Sequence, residues 1–330
     1  MMTSKSDVAK RIVRYYGTVI VAILVFVFFA VSANGFFTLK NVMLLLKQMS
    51  ALTIITLGFT FVMAVGGFDM SVGYSTGLVG IIFVKILMNT TNFWLALLGG
   101  IAVGLVIGCA NGLLTSYVGL PDFIATFAMG SVIYGVKMMM TEGNPIYVKG
   151  VEGAGIDLFR SLNSKMLFGV VPVMAVIMLV FIVLCFILME KTTLGRRIYA
   201  IGGNREAALF CGINVRRYKF ISYVISSLAV AFSAVLVCSR LNSAQPTSGE
   251  GYLMDAISAC YLGTTMFGEG QPTVLGSVVG AFIIAMLSNG LTMLGMTYYF
   301  QDITTGVVVI VAGVVGGGGL LSVVMNRKSK

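Results

Sequence analysis

The sequence contains no histidine among its 330 residues, which excludes catalysis or proton relay through an imidazole. It contains no phosphate-binding loop of the form G-x-x-x-x-G-K-S/T, so the chain itself is not expected to hydrolyse ATP. The five cysteines occur singly, mostly inside apolar runs, and indicate neither a disulfide framework nor a zinc site. The sequence therefore predicts no catalytic residue, no metal site and no cofactor held by this chain.

Charged residues are also scarce, at 10% of the chain, whereas hydrophobic residues make up 58% and the mean hydropathy is +0.99. A soluble domain carries about 25% charged residues, so the composition predicts an all-α, polytopic integral membrane protein with no soluble domain. The net charge of +10 resembles a nucleic-acid signal. However, the basic residues lie in loops, and positive-inside bias explains them better. We therefore expect membrane lipids, and not nucleic acid, around this chain.

Apolar runs predict about ten transmembrane helices in one domain, residues 1–330. Residues 34–48 and 141–165 are predicted outside loops, and the first of them is compatible with an interfacial helix. The run at 253–267 is short for a full crossing. The predicted spans are about 16–31, 49–65, 74–88, 93–114, 122–140, 166–189, 220–238, 253–267, 273–294 and 303–322.

The distribution of basic residues predicts the orientation. Of the 22 Lys and Arg residues, fourteen lie in the N-terminal segment 1–15, in the polar segment 190–219 or in the C-terminal tail. An even number of spans places these three regions on one side of the membrane, and the positive-inside rule makes that side the cytoplasm.

Segment 190–219 also contains local helix signals. Asn204 can cap a helix start, and Gly212 can take the left-handed position after its end. The helix between them has about two turns, so it is too short to be stable without packing on something. Two interpretations have equal support from spacing: its apolar face docks into the groove of a partner, or it folds onto its own domain.

The octet at 66–73, GGFDMSVG, interrupts the apolar pattern. The interpretation we favour is a turn in which Asp69 or Ser71 caps the following helix. The alternative is a helix break at membrane depth that offers backbone dipoles and a carboxylate to a polar substrate. Capping is likewise favoured over substrate contact for Asp122, Asp255 and Asp302, which fall near predicted helix ends.

Glycine recurs at every fourth residue in the span 93–114. Such a stripe allows another helix to approach closely, so we predict a packing role. The glycines are Gly100, Gly104, Gly108 and Gly112.

Four stretches resemble ribose-type ABC transporter permeases. Residues 194–215, LGRRIYAIGGNREAALFCGINV, are similar to the cytoplasmic coupling loop of that family. The octet at 66–73 resembles its GGxDLSVG motif, with Met70 in place of leucine. Residues 240–257, RLNSAQPTSGEGYLMDAI, are similar to its RLGSAQPTAGxGYELDAI pattern. Residues 121–126, PDFIAT, also resemble a family segment, from which Asp122 departs, and Thr264 and Glu269 stand where the family tends to have glycine.

The resemblance implies a multi-pass permease subunit of an ATP-driven importer in the bacterial inner membrane. Its implied partners are an ATP-binding subunit that carries ATP and Mg²⁺, a periplasmic or lipid-anchored sugar-binding protein, and a second permease subunit, identical or not. The implied substrate is a monosaccharide or related polyol, with nucleosides as the alternative. A secondary transporter would place paired charges in mid-span and show inverted repeats. We find neither in the sequence, and a membrane enzyme would need a catalytic cluster.

The resemblance also suggests two sets of functional residues. In segment 190–219, the coupling loop, the family's short helix docks into the ATP-binding subunit. The corresponding residues are Asn204, Arg205, Glu206, Ala207, Ala208, Leu209, Phe210 and Gly212. Four polar residues are candidates for the substrate pathway: Asp69, Ser71, Thr126 and Asn289.

Overall fold

The computed structural model describes residues 22–23, 25–264 and 270–316. The basic segment 1–15, residues 16–21 and 24 of the first predicted span, Glu269 and the basic tail lie outside the described residues. Residues 25–32 are helical. The predicted all-α membrane architecture is confirmed, because helices dominate the described chain and seven of them are long and apolar enough to cross a membrane.

The helices follow one another with short connections. In chain order they are α1 (Leu39–Ala64), α2 (Val72–Thr90), α3 (Phe93–Leu113, prolonged by a π-helical turn at Leu114–Val118), α4 (Asp122–Thr141), α5 (Ala154–Ser164), α6 (Val173–Phe186, prolonged by a π-helical turn at Ile187–Lys191), α7 (Thr193–Gly203), α8 (Arg205–Phe210), α9 (Val215–Leu241), α10 (Glu250–Thr264), α11 (Val274–Met293) and α12 (Tyr298–Gly316). Those that meet the length and composition of a span are α1, α2, α3, α4, α6, α9 and α11.

In the described part of the chain, four two-residue strands form two small antiparallel sheets. Strand β1 (Ile146–Tyr147) pairs with β4 (Ser243–Ala244), and β2 (Met166–Leu167) pairs with β3 (Val171–Pro172). The first pair ties the connection after α4 to the connection after α9.

Two predicted boundaries are wrong. The second span begins at Leu39 and not at residue 49, since Thr38 accepts a hydrogen bond from the backbone N–H of Asn41 and starts a single 26-residue helix. The sixth span begins at Val173 and not at residue 166, because residues 166–172 form the β2–β3 hairpin and Pro172 directly precedes the helix. The predicted loop 141–165 contains α5, an amphipathic helix that buries Ile156 and Phe159.

Helix α9 lies at the centre of the bundle and packs against α1, α2 and α3. The predicted packing role of the glycine stripe is confirmed. A Cβ atom on Gly104 would lie 2.9 Å from the backbone oxygen of Ser227, and one on Gly108 would lie 2.9 Å from the Cβ of Ser227. A Cβ on Gly112 would lie 2.7 Å from the ring of Phe220. The stripe therefore lets the backbones of α3 and α9 approach closely.

The chain re-enters the bundle between α9 and α10 without forming a helix. A Cβ on Gly77 would lie 2.6 Å from the backbone oxygen of Pro246, and one on Gly249 would lie 2.2 Å from that of Gly73. The segment thus descends along α2 toward the start of that helix. Helix α10 then begins inside the bundle with 15 residues, about 22 Å of helix, which is shorter than the roughly 30 Å of a hydrocarbon core.

Candidate functional site

The coupling loop folds as two short helices, α7 and α8. The backbone N–H of Leu194 donates to the hydroxyl of Thr192, which caps α7. Asn204 ends α7 and caps α8, as predicted, because its Oδ1 accepts a hydrogen bond of 2.9 Å from the N–H of Ala207. Gly212 takes the predicted left-handed conformation, with φ of +76°, and its N–H donates to the carbonyl of Leu209. The sequence therefore specified both ends of α8 correctly.

One face of α7 and α8 is anchored to the membrane bundle. Ile198 and Ile201 of α7 and Ala208 of α8 are buried in a cluster that includes Phe61 near the end of α1. A Cβ on Gly202 would lie only 1.9 Å from the carbonyl oxygen of Ala64, so α7 touches the backbone of α1. The helix pair is therefore in direct contact with a transmembrane helix.

The other face of α8 is uncovered. The side chain of Phe210 is 92% exposed and that of Leu209 is 53% exposed. Arg205, Glu206 and Ala207 are exposed as well. Packing of α8 on its own domain therefore explains the burial of Ala208, but it does not explain why the apolar side chain of Phe210 is exposed.

Three of the four predicted pathway residues lie in one hydrogen-bond network. Oδ1 of Asp69 accepts bonds from the N–H of Ser71 at 2.9 Å and from its hydroxyl at 2.6 Å. The hydroxyl of Thr126 accepts a bond of 3.0 Å from the N–H of Met70. Asn111, which the sequence analysis missed, donates its amide N–H to the Ser71 hydroxyl at 2.8 Å. All of these side chains except that of Met70 are buried, so the network holds the start of α2 against α3 and α4.

The fourth predicted pathway residue, Asn289, lies outside this network and contacts Asn41 instead. Its side chain and that of Asn41 exchange two hydrogen bonds, of 3.0 and 3.2 Å, between α11 and α1. The residues predicted for the pathway therefore do not form a single site.

The predicted capping roles of the acidic residues have mixed outcomes. Asp69 does bind the backbone N–H just before α2, which agrees with the turn interpretation. Asp122 is the first residue of α4 but makes no capping bond; it forms an ion pair with Lys219 at the start of α9. Asp255 lies in the interior of α10, and Asp302 lies one turn inside α12. Capping is therefore wrong for Asp122, Asp255 and Asp302.

A second ion pair was also missed. The buried side chain of Lys137 lies 2.8 Å from Oε1 of Glu250, although the sequence analysis found no paired charges within spans. The rings of Tyr74 and Tyr134 flank the ammonium group, with centroids 5.1 and 5.2 Å away. Lys137 stands alone in an apolar run, which is a signal for a partner, but 113 residues separate it from Glu250.

A cavity of about 350 Å³ opens beside the start of α10. We call it the polar cavity. Its walls come from α1, the end of α9, the connection before α10, the first turns of α10 and the second half of α11. Its apolar part includes Leu52 and Ile284. The polar side chains at its surface are Gln48, Arg240, Ser248, Tyr252, Asp255 and Ser288. Substrate contact was considered only for Asp255, as the less favoured interpretation; Ser288 is the chain neighbour of Asn289.

Comparison with known proteins identifies relatives that are all permease components of transport systems. Residues 41–313 match the family model described as the permease component of branched-chain amino acid transport systems. The chain is 35% identical over 288 residues to the ribose import permease protein RbsC of Bacillus subtilis, covering 87% of this chain and 85% of that protein. It is 36% identical over 274 residues to RbsC of Escherichia coli, covering 83% and 84%. It is 31% identical over 293 residues to the D-allose transport system permease protein AlsC of Escherichia coli, covering 88% of each.

Proposed function

The chain belongs to the family of permease components of branched-chain amino acid transport systems, and we propose that this ABC importer permease carries a monosaccharide or a related polyol. Membership makes it a multi-pass inner-membrane transport subunit and not an enzyme. The observation that carries the sugar assignment is the set of relatives named for ribose and D-allose, which align over more than four fifths of the chain.

Uptake measurements test the sugar assignment. A strain lacking this chain should lose uptake of at least one labelled pentose, hexose or polyol, and a plasmid-borne copy should restore it. Uptake of a panel of labelled nucleosides, measured in the same strains, tests the alternative substrate class. Loss of nucleoside uptake with every sugar unaffected would overturn the assignment.

Membership in this family implies an ATP-binding subunit and a substrate-binding protein as partners. In our proposal the ATP-binding subunit carries ATP and Mg²⁺ and docks on α8 in the cytoplasm. A periplasmic or lipid-anchored sugar-binding protein delivers substrate to the opposite face. A second permease subunit, identical or different, completes the pathway.

The placement of the coupling loop supports this arrangement. Phe210 and Leu209 project from the loop as uncovered apolar side chains, which is what a docking helix offers to a groove. The 27-residue helix α9 starts after the coupling loop and ends before β4, which separates the two regions by about 40 Å. The coupling loop and the β1–β4 sheet thus lie at opposite ends of the bundle. With the basic loop inside, both termini are cytoplasmic in our proposal.

Direct substrate contact by Asp69, Ser71, Thr126 and Asn289 remains a prediction. In the described conformation all four side chains are buried and hydrogen-bonded within the protein. A substrate would reach the first three only if the contact between α2 and α4 opened during the transport cycle.

A further inference from the structure

The polar cavity has the size and position of a ligand site. Its volume of about 350 Å³ falls within the range of roughly 300–1,000 Å³ that is typical of small-molecule pockets. It lies where a helix begins inside the bundle after an irregular segment. Irregular backbone at membrane depth is tolerated where it is buried in protein or lines a water-filled cavity. The interrupted stretch between α9 and α10 meets this condition.

Two polar side chains at the cavity surface have no partner among the described residues. Within the described residues, no hydrogen bond or ion pair reaches the carboxylate of Asp255 or the amide of Gln48, yet both line the cavity. Both side chains are half-buried, so their unpaired polar groups are open to a ligand in the cavity. Intramembrane carboxylates without a structural partner are functional candidates.

The other polar groups have bonding capacity left over. Arg240 donates one Nη2 bond, of 3.0 Å, to the hydroxyl of Tyr252, and a guanidinium carries five donors. The hydroxyl of Ser288 donates to Gln301 and can still accept. The cavity thus presents acceptors and donors side by side.

We infer that the polar cavity is a subsite for the hydroxyl groups of a neutral sugar, with Asp255 and Gln48 as its principal contacts. Each sugar hydroxyl is both a donor and an acceptor, which suits a carboxylate, an amide and a guanidinium arranged around one space. Asp255 is the acidic and Arg240 the basic side chain in the cavity lining. Asp302 adds a second carboxylate near Asp255, which disfavours an anionic ligand such as a phosphate. This inference rests on the sugar importer function proposed above.

The test compares variants with analogues of the sugar. The complete importer is reconstituted in proteoliposomes with saturating binding protein, and transport rates are measured for the parent sugar and each of its monodeoxy analogues. Asp255→Asn and Gln48→Ala should each lower the rate for the parent sugar about tenfold, as expected for a lost hydrogen bond to a charged or buried group. For the analogue that lacks the contacted hydroxyl, wild type and variant should differ by less than twofold. The binding protein is common to both arms, so its own preference cancels.

Asp157→Asn on the exposed face of α5 is the matched control and should leave all rates unchanged. Expression and co-purification of the ATP-binding subunit are measured for every variant, and Gln48→Ala remains informative if Asp255→Asn fails to insert. Wild-type rates in both variants, or an equal loss for the parent sugar and every analogue, would overturn the subsite. Failure of the wild-type importer to transport any sugar would overturn the proposed function itself, and the subsite with it.

Discussion

The ammonium group of Lys137 lies 2.8 Å from Oε1 of Glu250, and this ion pair joins α4 to the first residue of α10. The Lys137 side chain is fully buried, whereas 38% of the Glu250 side chain is exposed. The pair therefore connects the protein interior with the place where α10 begins. Because a buried ammonium is costly without a counter-charge, the pair helps to fix where α10 starts.

Glu250→Gln is expected to destabilise the purified protein, because it leaves the buried Lys137 without its counter-charge. Removing one partner of a buried pair costs about 3–5 kcal/mol. The partial exposure of Glu250 and the flanking rings of Tyr74 and Tyr134 reduce this to about 1–3 kcal/mol. Thermal unfolding in detergent measures the effect.

Glu152→Gln, at an exposed position, is the control for that measurement and should be neutral. Adding Lys137→Met to Glu250→Gln removes the unpaired charge and should recover part of the loss. Equal melting temperatures for Glu250→Gln and wild type would contradict a structural role for the pair.

Gly108→Val is expected to destabilise the bundle, because a Cβ at this position would meet Ser227 at 2.9 Å and the Cα of Val224 at 3.0 Å. Overpacking of this kind costs about 1–3 kcal/mol or more. Gly135→Val is the matched control, since Gly135 is also helical and has nothing within 4 Å of its Cβ position. The fraction of protein that elutes as a single folded species after heating separates the two variants. Similar behaviour would mean that the glycine stripe is not a close contact.

Local sequence signals predicted the parts of the fold that depend on neighbours in the chain. Asn204 and Gly212 specify the ends of α8 within nine residues of each other, so capping preferences alone located that helix. The glycine stripe likewise identifies a packing face from one helix. The start of α1 was wrong because residues 34–48, which include Asn41 and Gln48, were predicted to form a loop. Asn41 is instead satisfied inside the bundle by Asn289, 248 residues away, and Gln48 lines the polar cavity.

The sites that the sequence analysis missed depend on long-range contacts. Asp255 was interpreted as a cap because the helix around it was placed from residue 253, but the irregular segment ends earlier and α10 starts at Glu250. Asn111 lies in an apolar predicted span, and nothing in its sequence neighbourhood marked it as a site residue. Its side chain on α3 nevertheless donates a hydrogen bond to Ser71 at the start of α2. Hydrophobic periodicity does not determine which helices are neighbours, so neither residue could be assigned from sequence.

Cys211 is expected to react with a membrane-impermeant thiol reagent from the cytoplasmic side only. It is the exposed cysteine, whereas Cys185, Cys238 and Cys260 are buried. Labelling should therefore occur in inside-out vesicles and not in intact cells. Cys211→Ser should abolish this labelling. Loss of all labelling in that variant would show that Cys109 does not react with the reagent. Labelling in intact cells would reverse the proposed orientation.

The chain purified without its partner is expected neither to bind nor to hydrolyse ATP, because it lacks a phosphate-binding loop. Nucleotide binding by isothermal calorimetry and phosphate release both measure this. The complex with the ATP-binding subunit serves as the positive control. ATP hydrolysis by the isolated chain, at a rate proportional to its own concentration and not to that of a contaminant, would contradict the prediction that the partner subunit hydrolyses ATP.

Phe210→Asp is expected to prevent co-purification of the ATP-binding subunit and to abolish uptake, while the chain still inserts and folds. Phe210 is 92% exposed, so its own domain loses no packing when it is replaced. If it fills a groove in the partner, truncating such an anchor typically costs at least about 2 kcal/mol of binding, which exceeds a tenfold loss of affinity. The substitution also places an unpaired charge in the groove. Pull-down from detergent, with expression measured alongside, reports both effects.

Two neighbours on the same short helix separate docking from folding. Ala208→Asp buries a charge in the cluster that holds α8 to the bundle, so it should lower expression before it affects docking. Arg205→Ala removes an exposed charge and should be mild, whereas Gly212→Val forces a β-branched residue to φ of +76° and should weaken coupling by distorting the helix end. Normal expression of Phe210→Asp with full retention of the ATP-binding subunit and normal uptake would exclude Phe210 as the anchor. Loss of expression in Phe210→Asp would instead favour a helix packed on its own domain, which the exposure of this side chain argues against.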